Sequence, residues 1–123
     1  MRIRFFRQSF FALVFTLLFA TAAGAFTTGP SVSADVGKGL IESRKDIFIL
    51  DVRNPNEYAV AHYPTAVLIP VKELESRLNE IPQGKPVIIH CAKGKRAERA
   101  YELLKEKRPD LKELVFIKDE PKF

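Results

Sequence analysis

A small parallel sheet flanked by helices, an α/β fold, is predicted by three observations. Apolar runs at residues 47–50, 66–69, 87–89 and 114–117 are short and uninterrupted, as in strands covered on both faces. Between them lie stretches whose apolar residues recur at helical spacing, and this alternation indicates a parallel sheet. Turn-forming Pro and Gly residues separate the pieces, and 123 residues suffice for one small domain.

The first 25 residues stand apart. Arg2, Arg4 and Arg7 precede an uncharged apolar run at residues 10–23, and Ala23-Gly24-Ala25 closes it with a small-residue cleavage pattern. Residues 1–25 thus have the form of a secretory signal peptide, with a mature chain starting near Phe26 in the periplasm or outside the cell. The run is shorter than the roughly 20 residues of a membrane span, so no membrane association is expected after cleavage. The formal charge of +5 includes the leader's three arginines, so the mature domain is nearly balanced. That balance gives no footprint for a nucleic-acid partner. Cys91, the single cysteine, cannot form an internal disulfide; in an exported chain it suits reaction or intermolecular pairing.

Residues 26–33 read as an extended lead-in. Ser33 or Asp35 caps a first helix that buries Val36, Leu40 and Ile41, although Gly37 and Gly39 weaken it. The run at 47–50 is a strand ending in Asp51-Val52-Arg53. Asn54-Pro55-Asn56-Glu57 then opens a helix, with a cap, a proline at the first helical position and an acid three residues after the cap. Tyr63-Pro64 ends it. Residues 66–69 form a short strand closed by Pro70, and residues 72–81 an amphipathic helix with Leu74, Leu78 and Ile81 on one face. A turn at 82–85 leads through Pro86 into the strand that reaches Cys91. Ala97, Ala100, Tyr101 and Leu104 mark a long helix, which Pro109 stops. Residues 114–117 are the last strand. The folded domain spans residues 32–117, and residues 118–123 form a loose polar tail.

The chemistry concentrates at Cys91-Ala92-Lys93-Gly94-Lys95-Arg96. A thiol placed where a strand ends and a helix begins meets unpaired backbone N–H groups and the positive end of the helix dipole. Lys93, Lys95 and Arg96 add three cations. Surroundings of this kind favour thiolate, the nucleophilic form, and the amides of Ala92 to Arg96 can hold an anionic sulfur. Asp51 and Arg53 end a neighbouring strand, where Asp51 supports the loop by accepting backbone N–H bonds or pairing with a cation. His62 and His90 with one thiol are too few for a metal site and match no zinc spacing. His90 points to the face opposite Cys91 and is structural.

These residues resemble the rhodanese (sulfurtransferase) superfamily. The resemblance rests on Asp51-Val52-Arg53 with Pro55 and Glu57-Tyr58, on residues 62–70, and on the loop from Cys91 to Arg96. With the export signal, the chain is most similar to small periplasmic phage-shock-type rhodaneses. The resemblance implies a parallel sheet flanked by helices and a Cys91 that carries sulfur as a persulfide. Thiosulfate or a similar small molecule is the implied donor, and a thiol or cyanide the acceptor, without metal or organic cofactor.

Departures from the pattern sharpen the expectation. Tyr63, Thr65 and Leu68 replace usual residues, and Ala97 stands where a serine commonly follows the loop arginine. A Gly-Gly turn and closing helix expected after the last strand give way to Lys118-Asp119-Glu120-Pro121, a C-terminally shortened form with an open site and low activity. Two alternatives stay open. One is a catalytically weak module that binds or carries sulfur or oxyanions. The other is a Cys-dependent phosphatase, disfavoured because such loops resemble Cys-x5-Arg and this one is Cys-x4-Arg.

Overall fold

Five short strands form one parallel sheet in the computed structural model, which describes residues 29–123. The expected leader, residues 1–25, lies outside the described residues. The strands are β1 (Ser31–Val32), β2 (Phe48–Asp51), β3 (Val67–Leu68), β4 (Val87–His90) and β5 (Leu114–Ile117), in the spatial order β1-β5-β4-β2-β3. The central strand, β4, pairs with β2 so that Asp51 stands opposite His90 and Leu50 opposite Ile89. Those pairings bring the carboxyl ends of β2 and β4 side by side, where the loop after β4 begins. Ligands of open parallel sheets bind at that end.

Period-two alternation divides β4 between two cores. Val87, Ile89 and Cys91 pack with Leu104, Ala97 and Leu74 on one face; Ile88 packs with Leu40, Ile49 and Val115 on the other. The first face is covered by α3 (Lys95–Lys107) and a 3₁₀ segment (Leu74–Glu80); α1 (Ala34–Ser43) contributes to the second. A short α2 (Pro55–Val60) follows β2 and buries none of its residues. Among the described residues, no helix is long and apolar enough to cross a membrane.

Several elements differ from the sequence reading. Ser33 caps α1, its Oγ accepting from the Val36 N–H at 3.3 Å, but Val36 faces outward and is 46% exposed. Gly37 takes the buried place instead. A Cβ there would run into the Ile117 side chain, so glycine lets α1 sit close on β5. The expected α-helix at residues 72–81 is a 3₁₀ segment interrupted at Arg77, whose φ is −126° and ψ 22°. Ser76 Oγ donates to the Glu73 carbonyl at 2.8 Å, taking up an acceptor that an α-helical ladder would use. Strand β1 was read only as lead-in; it exists through backbone pairing, with Phe116 N–H donating to Pro30 and Lys118 N–H to Val32.

The tail also departs from expectation. Residues 118–123 are pinned rather than loose: Asp119 accepts from the Ala34 N–H at 3.3 Å, and the Lys122 N–H donates to the Tyr63 hydroxyl at 3.0 Å. Lys122 Nζ also meets Asp35 at 2.7 Å. Phe123 then packs its ring against Tyr63, 5.0 Å between centroids, and lies under the Arg53 guanidinium.

Candidate active site

The sulfur of Cys91 sits at the C-terminal end of β4, with the residue 1% exposed. Two backbone N–H groups point at it, Gly94 at 3.1 Å and Ala97 at 3.3 Å. They converge because Gly94 adopts φ +95°, which turns the loop back on itself before α3 begins at Lys95. Such a conformation favours glycine. The backbone of Lys118 presses on the same residue, and a Cβ at Gly94 would collide with the Lys118 carbonyl oxygen. A cavity of about 340 Å³ opens over the loop, lined by Cys91, Ala92, Lys93, Lys95 and Arg96.

The loop cations play unequal parts. Lys93 and Lys95 are exposed, Lys95 with its side chain 94% in solvent and 3.9 Å from Glu98. Arg96 is held away from solvent by two N–H···O bonds of 2.8 Å to the Glu57 carboxylate. Glu57 also accepts the Asn54 N–H at 2.8 Å. The Arg96 hydrogen bonds above all, and then that N–H, hold the Glu57 carboxyl down at about 2. The bridge ties α2 to the cysteine loop across 39 positions in sequence.

Among the hydrogen bonds of the described residues, those of Asp51 and Arg53 go elsewhere than to that loop. They form a buried ion pair, Asp51 fully buried and Arg53 6% exposed. Asp51 accepts from the Arg53 N–H and from its guanidinium at 2.7–3.1 Å, and Arg53 also donates to the Ala61 carbonyl at 2.7 Å. The pair closes the segment around α2, which presents Glu57 to Arg96. Asp51 therefore supports the loop at one remove, unlike the direct contact expected from sequence. His62 stacks on Tyr58 and shares a 2.8 Å hydrogen bond with its carbonyl, outside the sulfur site. No three His, Cys, Asp or Glu side chains converge as a metal site among the described residues.

His90 lies behind the cysteine, on the opposite face. It is fully buried, edge-on to Tyr63, with Nε2 3.5 Å from Asp51 and neither ring nitrogen hydrogen-bonded. Burial foremost pushes its pKa down from 6.5 to about 4; Asp51 opposes this and Arg53 adds to it. The folded state therefore prefers neutral imidazole. Its stability is complete above pH 6.5 and is lost as pH falls toward 4, by about 3 kcal/mol at ~1.4 kcal/mol per unit. Urea unfolding at pH 7 and pH 4 should show this loss, and His90→Phe should remove most of it. An equal acid loss in the variant would contradict the assignment.

Two contributors escaped the sequence reading. The Ala97 N–H lies one residue beyond the expected amides of Ala92 to Arg96, and no side-chain signal marks it. Glu57 was read as the acid of a helix start and as part of the family pattern, without a partner; the bond to Arg96 joins residues 39 positions apart, which no local signal marks.

A parallel sheet with one cysteine cradled by amides between its central strand and a helix defines a narrow class of α/β domain. The model of the rhodanese-like domain matches residues 33–118, and the chain belongs to that family. It is 38% identical over 77 residues to a putative sulfur carrier protein, YrkF, of Bacillus subtilis, covering 63% of this chain and 42% of that protein. It is 34% identical over 56 residues to a sulfurtransferase of Allochromatium vinosum, covering 46% and 52%. The chain spans about half the length of these curated relatives. Among solved structures, it superimposes on a rhodanese-related protein of Thermoplasma volcanium with a TM-score of 0.65 at 25% identity, covering 75% of this chain and 86% of that one. The single-domain sulfurtransferase RDL2 of Saccharomyces cerevisiae gives 0.62 at 26% identity, covering 76% and 87%. These relatives support a sulfur-transfer role.

Proposed function

We propose that this rhodanese-like domain is a sulfurtransferase that carries sulfane sulfur as a persulfide on Cys91. The observation that supports this best is the pair of N–H groups, from Gly94 and Ala97, aimed at a sulfur on the floor of a cavity. Donors there stabilise negative charge on sulfur without having to reorganise. The Cys91 thiolate attacks the outer sulfur of thiosulfate or a similar donor. A new Sγ–S bond forms, the donor S–S bond breaks, and sulfite leaves with the bonding pair. A thiol or cyanide acceptor then attacks the outer sulfur and releases the Cys91 thiolate. Splitting one transfer into two displacements requires no metal or organic cofactor.

A second reading, a weaker module that stores or delivers sulfur, is favoured by the engagement of Arg96 with Glu57. Turnover with thiosulfate and cyanide separates the two. The Cys-x4-Arg loop and that same engagement leave little to bind a phosphate ester. The signal-like leader further supports a mature protein outside the cytoplasm, in the manner of phage-shock-type rhodaneses. Intact mass spectrometry of the exported protein before and after thiosulfate tests both parts. It should find a chain starting near Phe26 that gains one sulfur atom at Cys91; a mass unchanged by thiosulfate and by an organic persulfide alike would contradict the transfer.

A further inference from the structure

Arg96 lines the cavity beside Cys91, yet its guanidinium is already engaged. Nη1 and Nη2 each donate to one oxygen of Glu57 at 2.8 Å, a two-pronged pairing that occupies both prongs of the fork. Glu57 is not free to swing clear, because the Asn54 N–H holds the same carboxylate. Both side chains are only about a third exposed, at 31% and 29%. A donor entering the cavity thus meets two solvated lysines at the rim and, on the wall, an Arg96 whose charge is already paired.

We propose that Glu57 sets donor specificity: by engaging Arg96 it withdraws the cation placed to hold the oxygens of a dianionic donor, and so favours an organic persulfide over thiosulfate. This rests on the sulfur-transfer reading of Cys91. With an organic persulfide R–S–SH, the Cys91 thiolate attacks the outer sulfur and the donor S–S bond breaks. The thiolate R–S⁻ leaves with the electron pair, and the proton stays on the outer sulfur. With thiosulfate the same attack releases sulfite, whose two negative charges gather beside an Arg96 already engaged by a carboxylate. Glu57 is a positioning residue, acting through Arg96.

Single-turnover loading of Cys91, followed over a range of concentrations of thiosulfate and of a neutral alkyl persulfide, tests this. In Glu57→Gln the loading efficiency with thiosulfate, relative to the alkyl persulfide, should rise about fivefold, the scale of one charge contact near a surface. The gain should appear in half-saturation rather than in maximal rate, and should shrink with added salt. Glu57→Asp keeps the charge but cannot span both guanidinium nitrogens while bonded to Asn54; it should move the ratio the same way, by less. That variant decides the matter alone if Glu57→Gln does not fold. A ratio at or below the parent's overturns the role of Glu57 while leaving sulfur transfer in place. A parent chain that loads from neither donor overturns both.

Discussion

Gly94→Ala should destabilise the domain by about 2–4 kcal/mol and sharply reduce sulfur loading. At φ +95° a side chain is strained, which costs on the order of 1 kcal/mol or more. The new Cβ also collides with the Lys118 carbonyl, and backbone, unlike a flexible side chain, does not yield cheaply. Overpacking of this kind costs about 1–3 kcal/mol. Relief requires the loop to move off the strap that leaves β5, and the Gly94 N–H moves with it. That N–H is one of the two donors on the Cys91 sulfur. Urea unfolding together with the loading rate is the measurement. A variant within about 0.5 kcal/mol of the parent, a change typical of surface substitutions, would show that the contact with Lys118 does not constrain the loop.

Asp51→Ala should cost about 3–5 kcal/mol, because it strands the Arg53 guanidinium in the interior. Among the described residues, Arg53 would keep the Ala61 carbonyl and the face of Phe123 as partners. For a domain whose whole stability is on the order of 5–15 kcal/mol, that loss leaves little folded protein at elevated temperature. Adding Arg53→Leu should recover part of the loss, since removing both charges costs less than orphaning one. Equilibrium unfolding of parent, single and double variants gives the comparison. A single variant as stable as the parent, or a double variant weaker than the single, would contradict the buried-pair account.

What the sequence made legible followed from local physics. Residues 47–50, 87–90 and 114–117 read as strands because strands buried on both faces leave uninterrupted apolar runs. The helix after the cysteine loop read correctly because Ala97, Ala100, Tyr101 and Leu104 recur at its period and face the core. Cys91 stood out as a lone thiol at a strand end. The misses are the features that depend on distant partners. Strand β1 has two residues and no pattern; only β5 makes it a strand. Val36 and Gly37 exchanged places because α1 lies so close to β5 that a Cβ at residue 37 would run into the Ile117 side chain. The tail is held by Ala34, Asp35 and Tyr63, which no local rule associates with residues 118–123. Arg96 looked like a free cation because its partner, Glu57, lies on another helix.

The most direct test of the account is the intact mass of the purified chain after exposure to a sulfane-sulfur donor and removal of excess. The account predicts a gain of one sulfur atom that localises to the peptide holding Cys91. The gain should disappear on treatment with cyanide or a thiol, and it should never form in Cys91→Ala. A chain that folds yet gains no sulfur from thiosulfate or an organic persulfide, or gains it equally in Cys91→Ala, would contradict a persulfide carried on Cys91.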